Sequence, residues 1–333
     1  MKLSIPGKLY VSGEYGVIDQ SHAVLAPVNR HMTFEIHAHK ADVIVSSKLG
    51  VKPIKPKHVP RNVMRPYTLA LNYLAALNID KKSFIIVIRS ELDSNAIKLG
   101  LGSSGAFNVG IIKAILSFHG VYPSPLKVFK LAVLSQFELN NLSSFGDLSV
   151  HAFNQWILYK TFDELWLRAH KDDDLTRLLD MPWKGLKIIP FTPKGLYGFA
   201  LNSGVPSSST KLVKAYKDKV SLEPRHALAA FMDKHTLAFY HSLYEKVSLS
   251  PLSTMKAYLE TVSDQHELPI HTTHLDDLIK GLETFKGVVK ISGAGGGDSL
   301  IAFFHTSFDA AKAKGYFTHK SYAVIKIGGV ASE

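Results

Sequence analysis

Apolar and polar positions alternate through the first 45 residues in short runs broken by turns. Leu9-Tyr10-Val11 precedes Ser12-Gly13-Glu14, and Ala23-Val24-Leu25 follows. Thr33-Phe34-Glu35-Ile36-His37-Ala38 has the period of two expected of a half-buried strand. Residues 67–78 carry apolar side chains at helical spacing, 84–89 read as a strand, and helices are predicted over about 106–118 and 125–139. Extended chain returns near 186–189. The second half predicts strands at 197–202, 288–291, 299–304 and 322–327, with helices at 211–218, 224–262 and 308–315. Strands and helices interleave in both halves. This predicts an α+β fold in two layers, with domains over 1–182 and 183–333.

Composition sharpens the picture. The 333 residues, 46% of them apolar and 20% charged, can bury two cores. There is no cysteine, which excludes a disulfide framework, an iron–sulfur cluster, a thiolate zinc site and a thiol nucleophile. Thirty-nine Lys+Arg against 28 Asp+Glu leave a formal charge of +11, which favours anionic ligands. The basic, proline-rich stretch at 48–66 has no interleaved aromatics, so it reads as a solvated loop rather than a nucleic-acid patch. No apolar run approaches 18 residues, and the first seven residues lack the apolar core of a signal peptide. A cytoplasmic chain with neither a membrane nor a nucleic-acid partner is expected. His271 and His274 are three apart, but without an HExxH pattern they predict solvent-facing histidines, not zinc ligands.

Three segments stand out chemically. Lys98-Leu99-Gly100-Leu101-Gly102-Ser103-Ser104-Gly105-Ala106-Phe107 runs straight into an apolar helix. Its glycines let the backbone approach a ligand, and the amides at a helix N-terminus favour an anion. The spacing is neither a Walker A loop nor, lacking an acidic residue near 125, a dinucleotide fingerprint. Near the start, Pro6-Gly7-Lys8 predicts a lysine after a turn at the mouth of a strand. Near the end, Ser292-Gly293-Ala294-Gly295-Gly296-Gly297-Asp298 separates two strands, and glycine so concentrated implies a backbone that must come close to something.

PGKLYVSGEY, GLGSSGA and SGAGGGD, in this order, resemble the three motifs of the GHMP kinases, which phosphorylate small molecules. The resemblance implies an N-terminal α/β domain with the phosphate loop, a ferredoxin-like C-terminal domain, and ATP with Mg²⁺ between them. Within that family the chain is most similar to the phosphomevalonate kinase branch, through GKLY followed by GEY, Ser143-Ser144-Phe145-Gly146-Asp147, and Gly204-Val205-Pro206-Ser207-Ser208-Ser209-Thr210. It departs from that branch at Asn202-Ser203, where a tryptophan is usual, and at Leu148-Ser149-Val150-His151, where the branch is richer in alanine.

The resemblance implies Lys8 and Asp147 as catalytic residues. It implies Lys98, Gly100, Leu101, Gly102, Ser103, Ser104, Gly105 and Ala106 for ATP, with Ser104 on Mg²⁺. Tyr15, Ser143, Ser144, Ser209, Thr210, Ser292, Gly293, Ala294 and Gly295, with Lys8 and Asp147, are expected around a phosphomevalonate acceptor, in a monomer or homodimer. The rivals are a mevalonate kinase, a diphosphomevalonate decarboxylase or another kinase of the family, and a basic non-enzymatic sensor or nucleic-acid binder that keeps the fold.

Overall fold

The first two apolar runs become parts of long strands. The computed structural model describes residues 1–47, 49–55, 57–94, 97–138 and 143–330. Strand β1 (Lys2–Ser12) pairs antiparallel with β2 (His22–Ala38), which absorbs both the 23–25 and the 33–38 runs. The chain does not turn at Pro6-Gly7. Pro6 lies opposite His31 and Gly7 opposite Val28, so the ladder bulges there and β1 continues. The Lys8 N–H leaves the ladder and bonds the Leu101 carbonyl at 2.9 Å. The bulge thereby ties the lysine to the glycine-serine segment.

Around this pair, β3 (Val43–Ser46), β4 (Gly50–Pro53), β5 (Phe84–Ser90), β8 (Trp156–Lys160) and β9 (Lys187–Phe191) complete a sheet of order β4-β3-β5-β2-β8-β9, with β1 beside β2. A small hairpin, β6 (Asp93–Ser94) with β7 (Ile97–Lys98), precedes the glycine-serine segment. Helices α1 (Arg61–Ala76), α2 (Ser103–Phe118), α3 (Pro125–Gln136) and α4 (Gly146–Phe153) pack together, with α2 and α4 against β1 and β2. α2 is apolar nearly all round because it is buried nearly all round, from Ala106 to Leu116. α5 (Glu164–His170) and α6 (Leu175–Asp180) follow, each started by an aspartate, Asp163 and Asp174, accepting an amide hydrogen bond.

The first sheet runs on to Phe191, past the domain change expected at 182, because the 186–189 run pairs with β8. The second sheet, order β11-β12-β10-β13, is antiparallel: β10 (Tyr197–Asn202), β11 (Gly287–Ile291), β12 (Ser299–Phe304) and β13 (Val324–Ile325). Helices α7 (Ser209–Lys219), α8 (Leu222–Ser242), α9 (Ser250–Gln265) and α10 (Thr273–Glu283) lie between β10 and β11, and α11 (Ser307–His319) lies between β12 and β13. The long helical stretch expected over 224–262 is made of two helices, and α1 starts within the basic stretch expected as a loop. The last residues return to the bulge in β2: Asn29 donates to the Lys326 carbonyl and Gly328 to that of Pro27. Among the described residues, no helix is long and apolar enough to cross a membrane.

Candidate active site

A cleft of about 400 Å³ opens where β1, the start of α2, the start of α4, the start of α7 and the β11–β12 loop meet. Gly102 caps α2 at φ +79°, a left-handed conformation that glycine adopts without strain. Its carbonyl takes the Ala106 N–H, so the amides of Ser103, Ser104 and Gly105 precede the first helical bond and face the cleft. This is an anion site built from backbone.

Lys8 enters beneath that loop. A Cβ on Gly102 would stand 2.9 Å from Lys8 Cε, and the ammonium donates to the Gly100 carbonyl at 3.3 Å. Burial pulls the lysine pKa below its ordinary value, partly offset by the charges of Asp147 and Asp298. Asp147 sits in the first turn of α4, where the helix N-terminus favours its charge. A Cβ on Gly105 would meet its Oδ2 at 2.5 Å, so only glycine admits the carboxylate against the phosphate loop.

The residues expected around an acceptor line the same cleft. Tyr10 Oη and Ser144 Oγ are 2.8 Å apart, while the Tyr10 N–H and carbonyl are both bonded to Ser292 Oγ at 3.0 Å. Tyr15 takes φ +59° and donates its hydroxyl to the Ala294 carbonyl at 2.6 Å. Burial raises the pKa of both phenols, so both remain protonated donors. Behind them, Lys290 and Glu14 form an ion pair with side chains 3% and 1% exposed. The first strand and the glycine loop are thus locked together by a hydroxyl, a phenol and a buried charge pair. Ser143, Ser209, Thr210, Gly293 and Gly295 complete the lining.

Comparison with known proteins fits this geometry. Residues 252–323 match the family described as GHMP kinases C terminal. A phosphomevalonate kinase of Streptomyces sp. (strain CL190) is 29% identical over 329 residues, 89% of this chain and 88% of the relative. The chain has the two-domain GHMP kinase fold. A Streptococcus pneumoniae phosphomevalonate kinase, solved with phosphomevalonate and AMPPNP, superposes with a TM-score of 0.89 at 22% identity, over 98% of this chain and 99% of that one. A Methanocaldococcus jannaschii mevalonate kinase is 28% identical over 160 residues, 45% of this chain and half of the relative.

Within this GHMP kinase fold, one of the expected nucleotide residues stands apart. Ala106 is fully buried and its N–H is spent inside α2, so it offers a ligand nothing. The Lys98 backbone lies in β7 opposite Asp93. Among the residues unassigned from sequence are Tyr10, Glu14, Ser207 and Asp298, which line the cleft, and the buried His151. Asp298 holds the Ser207 N–H at 3.0 Å and, through its backbone, Val205, Ser203 and Asn202. It pins the 203–207 loop to the phosphate loop, where a Cβ on Gly100 would meet it at 2.5 Å. His274 is exposed, as expected, and its Nε2 is 2.9 Å from the Ser203 carbonyl.

Proposed function

We propose that this protein transfers the γ-phosphoryl group of ATP to the phosphate of (R)-5-phosphomevalonate, giving 5-diphosphomevalonate and ADP in the mevalonate route to isoprenoids. One observation carries the reading: Lys8, the amides opening α2 and the β11–β12 glycine loop face one cleft, in a chain similar over nearly its whole length to a phosphomevalonate kinase.

The amides of Ser103, Ser104 and Gly105, with the Ser103 hydroxyl, hold the triphosphate. Magnesium fits the donor set, since the Ser104 hydroxyl and the Asp147 carboxylate line the same cleft and are hard oxygen donors. Among the described residues no cluster of three His, Asp or Glu side chains could hold a metal, so the nucleotide phosphates and water would supply the remaining oxygens. When bound, the ion neutralises phosphate charge. Lys8 brings its ammonium to the transferred group. Ser143, Ser144, Tyr15, Ser209, Thr210 and the Ser292–Ala294 segment orient the acceptor.

A phosphate monoester has a second pKa of about 6, so near pH 7 its oxygen attacks without giving up a proton. An O–P bond forms to the γ-phosphorus, the β–γ bridge breaks, and ADP leaves with the electron pair. The obstacle is repulsion between polyanions, which positioned cations and amides relieve.

The test is ADP release with ATP and Mg²⁺ against mevalonate, its 5-phosphate and its 5-diphosphate, with CO₂ release measured on the last. Turnover confined to the 5-phosphate is expected. Preference for mevalonate, CO₂ release, or no turnover with any acceptor would overturn the reading.

A further inference from the structure

His151 lies one helical turn beyond Asp147 on α4 and is fully buried. Its Nδ1 is 2.8 Å from the Pro6 carbonyl, which can only accept, so Nδ1 carries the proton. Nε2 is then an acceptor and no donor reaches it, since the nearby Gly102 carbonyl can itself only accept. An unsatisfied buried polar atom is costly, so it is retained where a second state satisfies it.

The surroundings identify that state. A Cβ on Gly102 would stand 2.9 Å from Nε2 and 2.9 Å from Lys8 Cε, and a Cβ on Gly105 would stand 3.1 Å from Nε2 and 2.5 Å from Asp147 Oδ2. Imidazole, lysine stem and carboxylate therefore meet under the same two glycines. Pro6, which anchors the ring, is two residues from Lys8 on β1, so histidine and lysine are referenced to one strand. The ammonium has three donors, and its hydrogen bond to the Gly100 carbonyl is long at 3.3 Å. The groups facing the ring are Asp147 on α4, Lys8 and the Pro6 carbonyl on β1, and the Gly102 carbonyl. Burial holds the ring near a pKa of about 4, so it is neutral near pH 7.

We propose that His151 is a positioning residue for Lys8: when phosphoryl groups draw the ammonium off the Gly100 carbonyl, Nε2 accepts a hydrogen bond from it and fixes its approach to the transferred group. This rests on the reading of the cleft as a kinase centre. It also gives a role to a residue of this chain that stands where the resembling branch is richer in alanine.

The experiment pairs His151→Leu with His151→Gln in the full chain, assayed with ATP, Mg²⁺ and phosphomevalonate. Glutamine can donate to the Pro6 carbonyl and accept from Lys8, whereas leucine fills space and does neither. His151→Leu should lower kcat about 10- to 100-fold with KM for both substrates within about threefold, and His151→Gln should restore kcat to within about threefold of wild type. A folded His151→Leu protein with unchanged kcat, or a glutamine variant as impaired as leucine, overturns the proposal.

Because His151→Leu could fail to fold, the wild-type protein labelled with ¹⁵N-histidine supplies a second readout. Its Nε2 resonance should report the neutral Nδ1-protonated tautomer and move upfield on adding Mg²⁺ and AMPPNP, and that movement should vanish in Lys8→Met. A doubly protonated ring, the other tautomer, or an unmoved resonance refutes the idea. This readout needs no turnover, so a wild-type protein inactive on phosphomevalonate would sink the functional reading and leave the Nε2 result to stand or fall separately.

Discussion

Replacing Lys8 by methionine removes an ammonium while keeping an unbranched stem against Gly102. The lysine is held low in pKa by burial, so its charge acts where water screens little. Losing one preorganised donor to developing negative charge in such a site costs about 10²–10³ in kcat, or about 3–4 kcal/mol. Asp147→Asn is nearly isosteric. With a phosphate acceptor there is no proton for the carboxylate to take, so what disappears is its field on Lys8, and a loss of about tenfold is expected. Steady-state ADP release at saturating ATP and phosphomevalonate, on variants whose melting curves match wild type, should therefore rank Lys8→Met well below Asp147→Asn. The pH profile gives a second reading. Asp147 raises the Lys8 pKa against burial, so in Asp147→Asn the ammonium loses its proton at lower pH and the alkaline limb of kcat should move down. Equal or reversed losses would refute the division of labour. So would an alkaline limb that stays put while an acid limb of the wild type disappears in Asp147→Asn, which would make Asp147 the general base.

Lys290→Met strands the Glu14 carboxylate in a site 1% exposed and should destabilise the protein by about 3–5 kcal/mol in urea unfolding, part of it recovered on adding Glu14→Gln; a loss under about 1 kcal/mol would show that the pair does not hold the first strand to the glycine loop. Gly102→Ala puts a methyl group at φ +79° against Lys8 Cε and His151 Nε2, and should lower kcat at least tenfold and stability by about 1–3 kcal/mol. Wild-type kinetics in that variant would contradict the close approach. His151 protonates near 6.5 when unfolded but near a pKa of about 4 when folded, so the unfolded chain binds the extra proton between these values. Its share of stability, about 3 kcal/mol, is present above pH 6.5 and lost as pH falls to 4, and His151→Gln should flatten that part of the unfolding free energy against pH.

The elements that were legible from sequence were those where one local signal dominated. β10 and β12 begin and end where their apolar runs do, at Tyr197–Asn202 and Ser299–Phe304, because both are central strands bounded by turns. α1 was hidden at its start because Asn62 and Pro66 contradict a helix locally, while burial of Val63 and Pro66 overrides them. α10 has a stripe at helical spacing, Leu275, Leu278, Ile279 and Leu282, in a segment that stands outside the predicted helices. At the site, Lys8, Asp147 and the glycines were visible through residue type and spacing. Tyr10 lies inside PGKLYVSGEY, but a linear pattern does not tell which side of β1 its side chain faces once a bulge intervenes, and Glu14 lies in the turn beyond that strand. Lys290 sits in the middle of an apolar strand, and only the fold reveals that Glu14 waits beside it.

The formal charge of +11 invites the view that surplus cations draw two polyanions together, but the cleft itself is not basic. Among the described residues lining it, Lys8 is the one cation, against Glu14, Asp147 and Asp298, and the Glu14 charge is already matched by Lys290 behind it. The surplus lies elsewhere on the surface, where a Debye length of about 8 Å at physiological salt weakens its reach into the site. Neutralisation therefore falls to the amides opening α2, to Lys8 and to whatever cation accompanies the nucleotide. It follows that ATP stripped of its divalent ion meets two carboxylates with one lysine between them, and should bind at least about tenfold more weakly than ATP with Mg²⁺, while moderate NaCl changes the affinity of the magnesium complex little. Calorimetric titration of ATP with EDTA and with Mg²⁺, at two ionic strengths, measures both. Equal affinity with and without Mg²⁺, or a steep loss of MgATP binding with salt, would mean that the distant positive charge does the work assigned here to the loop and the ion.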